Sequence, residues 1–123
     1  MEKQYHYVTK LDVKFDHLRL IDIPEMVKEC EHKWFNQTLT QVNDSVVRLG
    51  IVEGEYHWHK HNNDDEFFFV LEGTLFVDLR DRSIELNAGQ GVTVSKGVEH
   101  RTRAPKKTVM LMVENKEIIP TGD

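Results

Sequence analysis

Residues 54–66 read Gly54-Glu55-Tyr56-His57-Trp58-His59-Lys60-His61-Asn62-Asn63-Asp64-Asp65-Glu66, and 3 of the chain's 7 histidines stand there at alternate positions. Alternate side chains of a β-strand share a face, so His57, His59 and His61 are expected to point the same way. Imidazoles two residues apart sit roughly 7 Å apart at the backbone, close enough to converge on one ion with bonds of about 2.1 Å. The polar run Asn62 to Asp65 lets the chain reverse, and Glu66 opens the next strand. With period two, Glu66, Phe68 and Val70 share one face and Phe67, Phe69 and Leu71 the other. Glu66 is therefore expected on the side of the histidines.

A second segment, Gly89-Gln90-Gly91-Val92-Thr93-Val94-Ser95-Lys96-Gly97-Val98-Glu99-His100, adds an isolated histidine just after a glycine-containing turn. Three histidines with one carboxylate form a mixed nitrogen and oxygen set. Such a set suits Fe(II), Mn(II), Ni(II), Zn(II) or Cu(II), with positions left for water or a ligand.

Around these segments the pattern is one of short strands. Apolar and β-branched runs fall at Phe35–Val42, Ser45–Val52, Tyr56–His61, Glu66–Leu71 and Thr74–Leu79. Further runs follow at Ser83–Leu86, Val92–Ser95, His100–Ala104 and Thr108–Glu114. Turn residues separate them, including Asn43-Asp44, Glu72-Gly73, Asp81-Arg82 and Pro105 to Lys107. Short strands at regular spacing predict an all-β sandwich or barrel. One amphipathic helix precedes them: Ile23, Met26, Val27, Cys30 and Trp34 recur at helical spacing, with Asp22 as N-cap and Glu25 completing a capping box. The spacing predicts a helix from Ile23 to Trp34, and residues 120–123 read as a frayed end.

The two histidine segments resemble the paired motifs of the cupin superfamily, in particular its small single-domain members. The first motif is matched by His59-Lys60-His61, four residues, Glu66, six residues and Gly73, with Gly54 one residue closer than usual. The second is matched by Gly89, Gly97 and His100, with Ser95 in place of the proline and Ala104 in place of the asparagine. The resemblance implies a small double-stranded β-helix, the jelly-roll barrel, over residues 43–115. An N-terminal arm with the helix occupies 1–42 and a C-terminal tail 116–123. It also implies His59, His61, Glu66 and His100 as ligands of a divalent transition metal: Fe, Mn, Ni, Zn or Cu. His57 has no position in the motif and is the candidate for proton transfer. Small cupins are often labelled mannose-6-phosphate isomerase-like, and the superfamily also includes epimerases, dioxygenases and decarboxylases. The resemblance thus implies a metal-dependent enzyme acting on a small polar molecule, sugar-like or carboxylate, in the barrel. The alternative is a non-enzymatic module that binds or senses a metal or ligand.

Composition narrows the rest. With 123 residues the chain has room for one core. Its 39% hydrophobic and 30% charged residues argue against disorder. A formal net charge of −5 gives no support to nucleic-acid binding. No apolar run exceeds the length of Phe67 to Leu71, which is too short to span a membrane, and no secretory signal is expected. Cys30 is the single cysteine, which fits a reducing cytoplasm and a packing role on the helix. His6, His17 and His32 have no partners by spacing and read as surface residues. Gly89-x-Gly91 lacks the third glycine and following helix of a nucleotide loop. Arg101, Arg103, Lys106 and Lys107 cluster near the second motif. They read as a solvated strand end, unless one arginine turns inward to hold a carboxylate or phosphate of the substrate.

The outward phase of Phe67, Phe69 and Leu71, extended by Tyr56 and Trp58, leaves an apolar face that must be covered. Either the N-terminal helix of the same chain or a second subunit can cover it. The second subunit is expected, as a homodimer.

Overall fold

The structure, a computed structural model, describes residues 7–122; His6 and Asp123 lie outside the described residues. Nine elements follow in chain order: β1 (Val8–Lys10), α1 (Ile23–Glu29), β2 (Trp34–Val42), β3 (Ser45–Glu55) and β4 (Glu66–Glu72). Then come β5 (Thr74–Leu79), β6 (Ser83–Asn87), β7 (Gly91–Val94) and β8 (His100–Asn115). The expected all-β jelly-roll barrel with one short N-terminal helix is the architecture found.

β8 is the seam of the barrel. Its first residues, His100–Arg103, pair with β5, and its later half pairs antiparallel with both β3 and β4. The remaining order runs β1-β2-β3-β8-β4-β7, with β6 on the outer edge of β5. Alternation decides which side chains face inward. Phe68 and Val70 from β4, Leu75 and Val77 from β5, and Met110 and Met112 from β8 meet in one buried core with Trp34, Val52 and Tyr56. Each fully buried side chain of this size contributes about 1.5–3 kcal/mol. On the outer face, Leu39, Leu49, Ile51 and Val109 form a second buried cluster. The arm covers it with Phe15, Ile21, Ile23, Met26, Val27 and Cys30. The helix is thus an external lid on β2, β3 and β8, and Cys30 packs there as expected.

Several expectations are corrected. The helix ends at Glu29, with Cys30 already extended at φ −74° and ψ 124°. Trp34 instead opens β2 and is buried in the inner core. β2 pairs with β3 along its length, although the sequence boundaries assign it to the arm. β1, three residues paired parallel to Phe35–Gln37, is too short for periodicity to reveal. The Pro105–Lys107 break lies inside β8, opposite a register shift between Val52 and Gly54. An irregularity of this kind accommodates a residue without an N–H, so the strand runs on through the proline. At the end of β4, Gly73 turns with φ +87°, and a Cβ there would stand 2.6 Å from Thr108 Oγ1 and 2.9 Å from the Lys107 carbonyl. Glycine is required at that turn on both counts.

The segment Tyr56–His61 is not a strand. Tyr56 N still donates to the Thr102 carbonyl, but afterwards only an isolated bridge between His59 and His100 ties it to the sheet. Without a continuous ladder the alternation slips. Tyr56 is buried in the core, whereas Trp58 lies half-buried beneath the guanidinium of Arg80, 3.9 Å from its ring centroid. Tyr56 therefore does not extend the outer apolar face. Among the described residues, 120–122 are not a frayed end either. Ile118 is buried, and Gly122 lies against His59, where a Cβ would stand 2.8 Å from the histidine Cβ.

Candidate metal centre

Two reciprocal backbone bonds of 2.9 Å, His59 N to the His100 carbonyl and His100 N to the His59 carbonyl, staple the first histidine segment to the second. The turn of the second segment adds two more ties. Gly97 N donates to the His61 carbonyl at 2.7 Å, and Lys96 N donates to Asp65 Oδ1 at 2.9 Å. Asp65 thus anchors one turn on the other, beyond forming its own turn. Glu66 arrives differently, as the first residue of β4, paired with Val94 on one side and Glu114 on the other.

The result is a cluster in which His59, His61, Glu66 and His100 each offer a ligand atom, all within 4.8 Å of one another. His61, Glu66 and His100 are buried and His59 is partly so. The hydrogen bonds of two rings fix their tautomers. His59 Nδ1 lies 3.0 Å from the His57 carbonyl, and His100 Nδ1 lies 2.9 Å from the Val98 carbonyl. A carbonyl only accepts, so both Nδ1 atoms carry the hydrogen and both Nε2 atoms keep a lone pair. His100 Nε2 then faces Glu66 Oε1 at 3.2 Å, a lone pair against a carboxylate oxygen. His61 is 3% exposed, yet neither of its ring nitrogens has a hydrogen-bond partner. Its Nε2 stands 3.5 Å from Glu66 Oε1, too far for a good hydrogen bond. Buried polar atoms left in this state are costly, and a shared cation satisfies all of them together. The donor set of three imidazole nitrogens and one carboxylate fits a divalent transition metal.

Electrostatics point the same way. Burial pushes His59 down to about 4, so its ring stays neutral and able to ligate at neutral pH. Burial alone would raise Glu66. The neighbouring Glu114, His100 and His61 outweigh it and hold the carboxyl well below the usual carboxylate range.

Behind Glu66 stands a pair of residues that sequence reasoning missed. Arg48 and Glu114 are both buried and joined at 2.7 Å, and Arg48 Nε also donates to Thr38 Oγ1. Burial and the neighbouring Glu66 push Glu114 up to about 10, against the pull of Arg48. Glu114 Oε2 is buried without a hydrogen-bond partner, and a proton retained on Glu114 lowers the cost of burying it. The sequence signal was present: Arg48 and Glu114 are opposite charges at inward positions of otherwise apolar strands.

The remaining candidates are placed as follows. His57 stacks on Tyr56 at 4.4 Å, and its Nε2 lies 2.8 Å from the Thr121 carbonyl. It is not among the four converging residues, because the segment does not alternate as a strand. His17 and His32 are exposed, as expected. Arg101 and Arg103 point away from the barrel interior and bind Asp78. Arg103 first, with Ser83 and Arg101, holds that aspartate well below the usual range. No helix among the described residues is long and apolar enough to cross a membrane.

Beside the cluster is a pocket walled by Trp34, Tyr56, Phe68, Met110 and Met112, with His59 and Glu66 at one end. Asn36 and Thr102 supply further polar groups, and Pro120 from the tail completes the wall. Its atom-free space is about 330 Å³ counted out to the mouth, of which about 30 Å³ admits the centres of water-sized molecules.

Comparison with known proteins gives concordant matches. The family model described as the cupin domain matches residues 46–114. Protein YdbB of Bacillus subtilis (strain 168) is 42% identical over 93 residues, covering 75% of this chain and 82% of that protein. Protein SchB of Streptomyces halstedii is 41% identical over 59 residues, 48% of this chain and 41% of SchB. The crystal structure of a cupin-2 domain containing protein from Shewanella frigidimarina NCIMB 400 is similar with a TM-score of 0.74. It is 34% identical, covering 78% of this chain and 94% of that one.

Proposed function

The chain belongs to the cupin domain family, and from that premise we propose that it is a metal-dependent enzyme acting on a small molecule held in the barrel. His59, His61, Glu66 and His100 would hold the ion. The observation that carries the proposal is His61, buried with both ring nitrogens unpartnered, in one cluster with Glu66 and with His59 and His100, whose Nε2 atoms keep their lone pairs. A bound divalent ion supplies Lewis acidity, polarising an oxygen of the substrate or acidifying a bound water. The chain's own residues do the rest. Glu114 and Arg48 orient the Glu66 carboxylate, and the apolar walls exclude water. His57, which is next to His59 at 5.4 Å between ring centroids and is held through Nε2 by the Thr121 carbonyl, is the proposed proton-transfer group.

The finer expectation of an isomerase for sugar phosphates needed a cation facing the pocket. Arg101 and Arg103 bind Asp78 instead, and Arg48 binds Glu114, so nothing supports that subtype. The non-enzymatic alternative draws on one observation, that His57 is not among the residues lining the pocket. A substrate screen with the metal restored separates the two. Turnover that is slowed in His57→Gln at unchanged metal content supports the enzyme, and metal binding without any turnover supports the sensing module.

We propose further that two copies pair through the outer face of β4. Phe67 and Phe69 stack there at 6.3 Å, Leu71 is 37% exposed, and the helix packs elsewhere, on the cluster around Leu49. Light scattering should give a dimer that Phe69→Glu splits with its strands intact; a monomer at micromolar concentration contradicts the pairing. A cytoplasmic location remains a proposal, resting on the single free cysteine.

A further inference from the structure

The pocket beside the metal cluster has a composition that restricts what it can hold. Its walls are two aromatic rings of Trp34 and Tyr56, the ring of Phe68 and the thioether chains of Met110 and Met112. These offer dispersion and sulfur–aromatic contacts to a flat apolar body. A molecule rich in hydroxyls would leave most of them without partners against such walls. An anion has no cation to meet: among the described residues lining the pocket there is no lysine or arginine.

Among the fully buried polar atoms of the lining residues outside the cluster, one is without a partner. Asn36 is 8% exposed, lines the pocket, and its Oδ1 has no hydrogen-bond partner. A buried amide oxygen in this state is an acceptor waiting for a donor. Tyr56 cannot serve as a base there, because burial, then Tyr7 and Glu66, push its hydroxyl above the ordinary tyrosine range. Asn36 is also apart from the cluster of four, so it can orient a ligand independently of the ion.

We propose that the ligand is a compact, largely apolar molecule of about one ring that carries a single hydroxyl or N–H, and that Asn36 selects it by accepting that hydrogen. This rests on the pocket being the substrate site of the proposed enzyme. The cavity sets the size: about 30 Å³ of it admits the centres of water-sized molecules, which leaves room for one small ring at most. Asn36 is a specificity-determining residue with no part in holding the metal.

The test uses the full chain with its metal content measured, in loaded and metal-free forms, with the methionine methyls observed by NMR. Phenol, anisole, toluene and glycerol 3-phosphate are the probes. Ring-current shifts of the Met110 and Met112 methyls should saturate with phenol at about tenfold lower concentration than with anisole, the value of one net hydrogen bond. Glycerol 3-phosphate should leave them unmoved. In Asn36→Leu the phenol preference should vanish while toluene still binds and metal content is unchanged. Should that variant fail to fold, the phenol-to-anisole comparison on the unaltered chain decides alone. Equal binding of phenol and anisole, tighter binding of glycerol 3-phosphate, or no shift by any ring compound overturns the ligand class. A chain that takes no metal yet shows the phenol preference overturns the proposed enzyme and leaves the selectivity of Asn36 standing.

Discussion

The loop from Tyr56 to His61 and the strand β4 both deliver candidate ligands to one cluster, by opposite means. In β4, ladders on both sides enforce the alternation, so Glu66, Phe68 and Val70 are buried in sequence and Phe67 and Phe69 turn out. In the loop no ladder exists beyond one bridge, and His59 and His61 are set by the bonds to His100 and Gly97. The strand ligand is held by the core, and the loop ligands are held by a few backbone bonds. Disturbing the support of the strand should therefore act on stability first, and disturbing that of the loop on metal affinity first.

The largest effect is expected at the strand's support. Arg48→Met leaves Glu114 and Glu66 together without their buried cation, and breaking such a pair costs about 3–5 kcal/mol. Chemical denaturation of the metal-free chain should show that loss. A change below 1 kcal/mol would mean that the pair contributes little to holding β4 against β8.

On the loop side, Asp65→Ala removes the acceptor for Lys96 N. The fold should lose about 1 kcal/mol, as for one exposed hydrogen bond, whereas metal affinity should drop about tenfold because the loop ligands are no longer aligned. Competition with a chelator reads the affinity and a melting curve the stability. Should Asp65→Ala lower stability as much as Arg48→Met while sparing the metal, the contrast between the two regions fails.

The third test is a titration within the loop. In metal-free protein the His59 ring should take its proton about pH 4, whereas the unfolded chain takes it near 6.5. Between those values the unfolded state binds one more proton than the folded state. His59 therefore contributes stability that is fully present above pH 6.5 and lost as the pH falls toward 4. An NMR titration of the ring with a midpoint near 6.5 would show that the loop leaves His59 in water.

The same contrast explains what the sequence revealed. Where strands are paired on both sides, period two identifies the inward residues, and Glu66, Phe68 and Val70 sit as their phase predicts. The motif spacing around His59, His61, Glu66 and His100 also marks the residues that converge, because backbone bonds between the two motifs require it. Period two fails at Tyr56, Trp58 and His57, since a segment outside the ladder has no obligation to alternate. Arg48, Glu114 and Asn36 show in the sequence only as polar residues at inward positions; their roles depend on which strands become neighbours, and Arg48 meets Glu114 across 66 residues of chain. The packing of Ile118 and Pro120 against the barrel has the same origin, a contact between residues far apart in the chain that no local pattern encodes.

The central claim is that His59, His61, Glu66 and His100 hold one divalent ion. Elemental analysis of the chain purified without a histidine tag, beside its His61→Ala/His100→Ala double variant, tests it most directly. The unaltered chain should carry about one transition-metal ion per chain, and the folded double variant should carry none, since removal of two ligands exceeds the 10–100-fold loss typical of supporting residues. A double variant that keeps its full metal content would contradict the assignment.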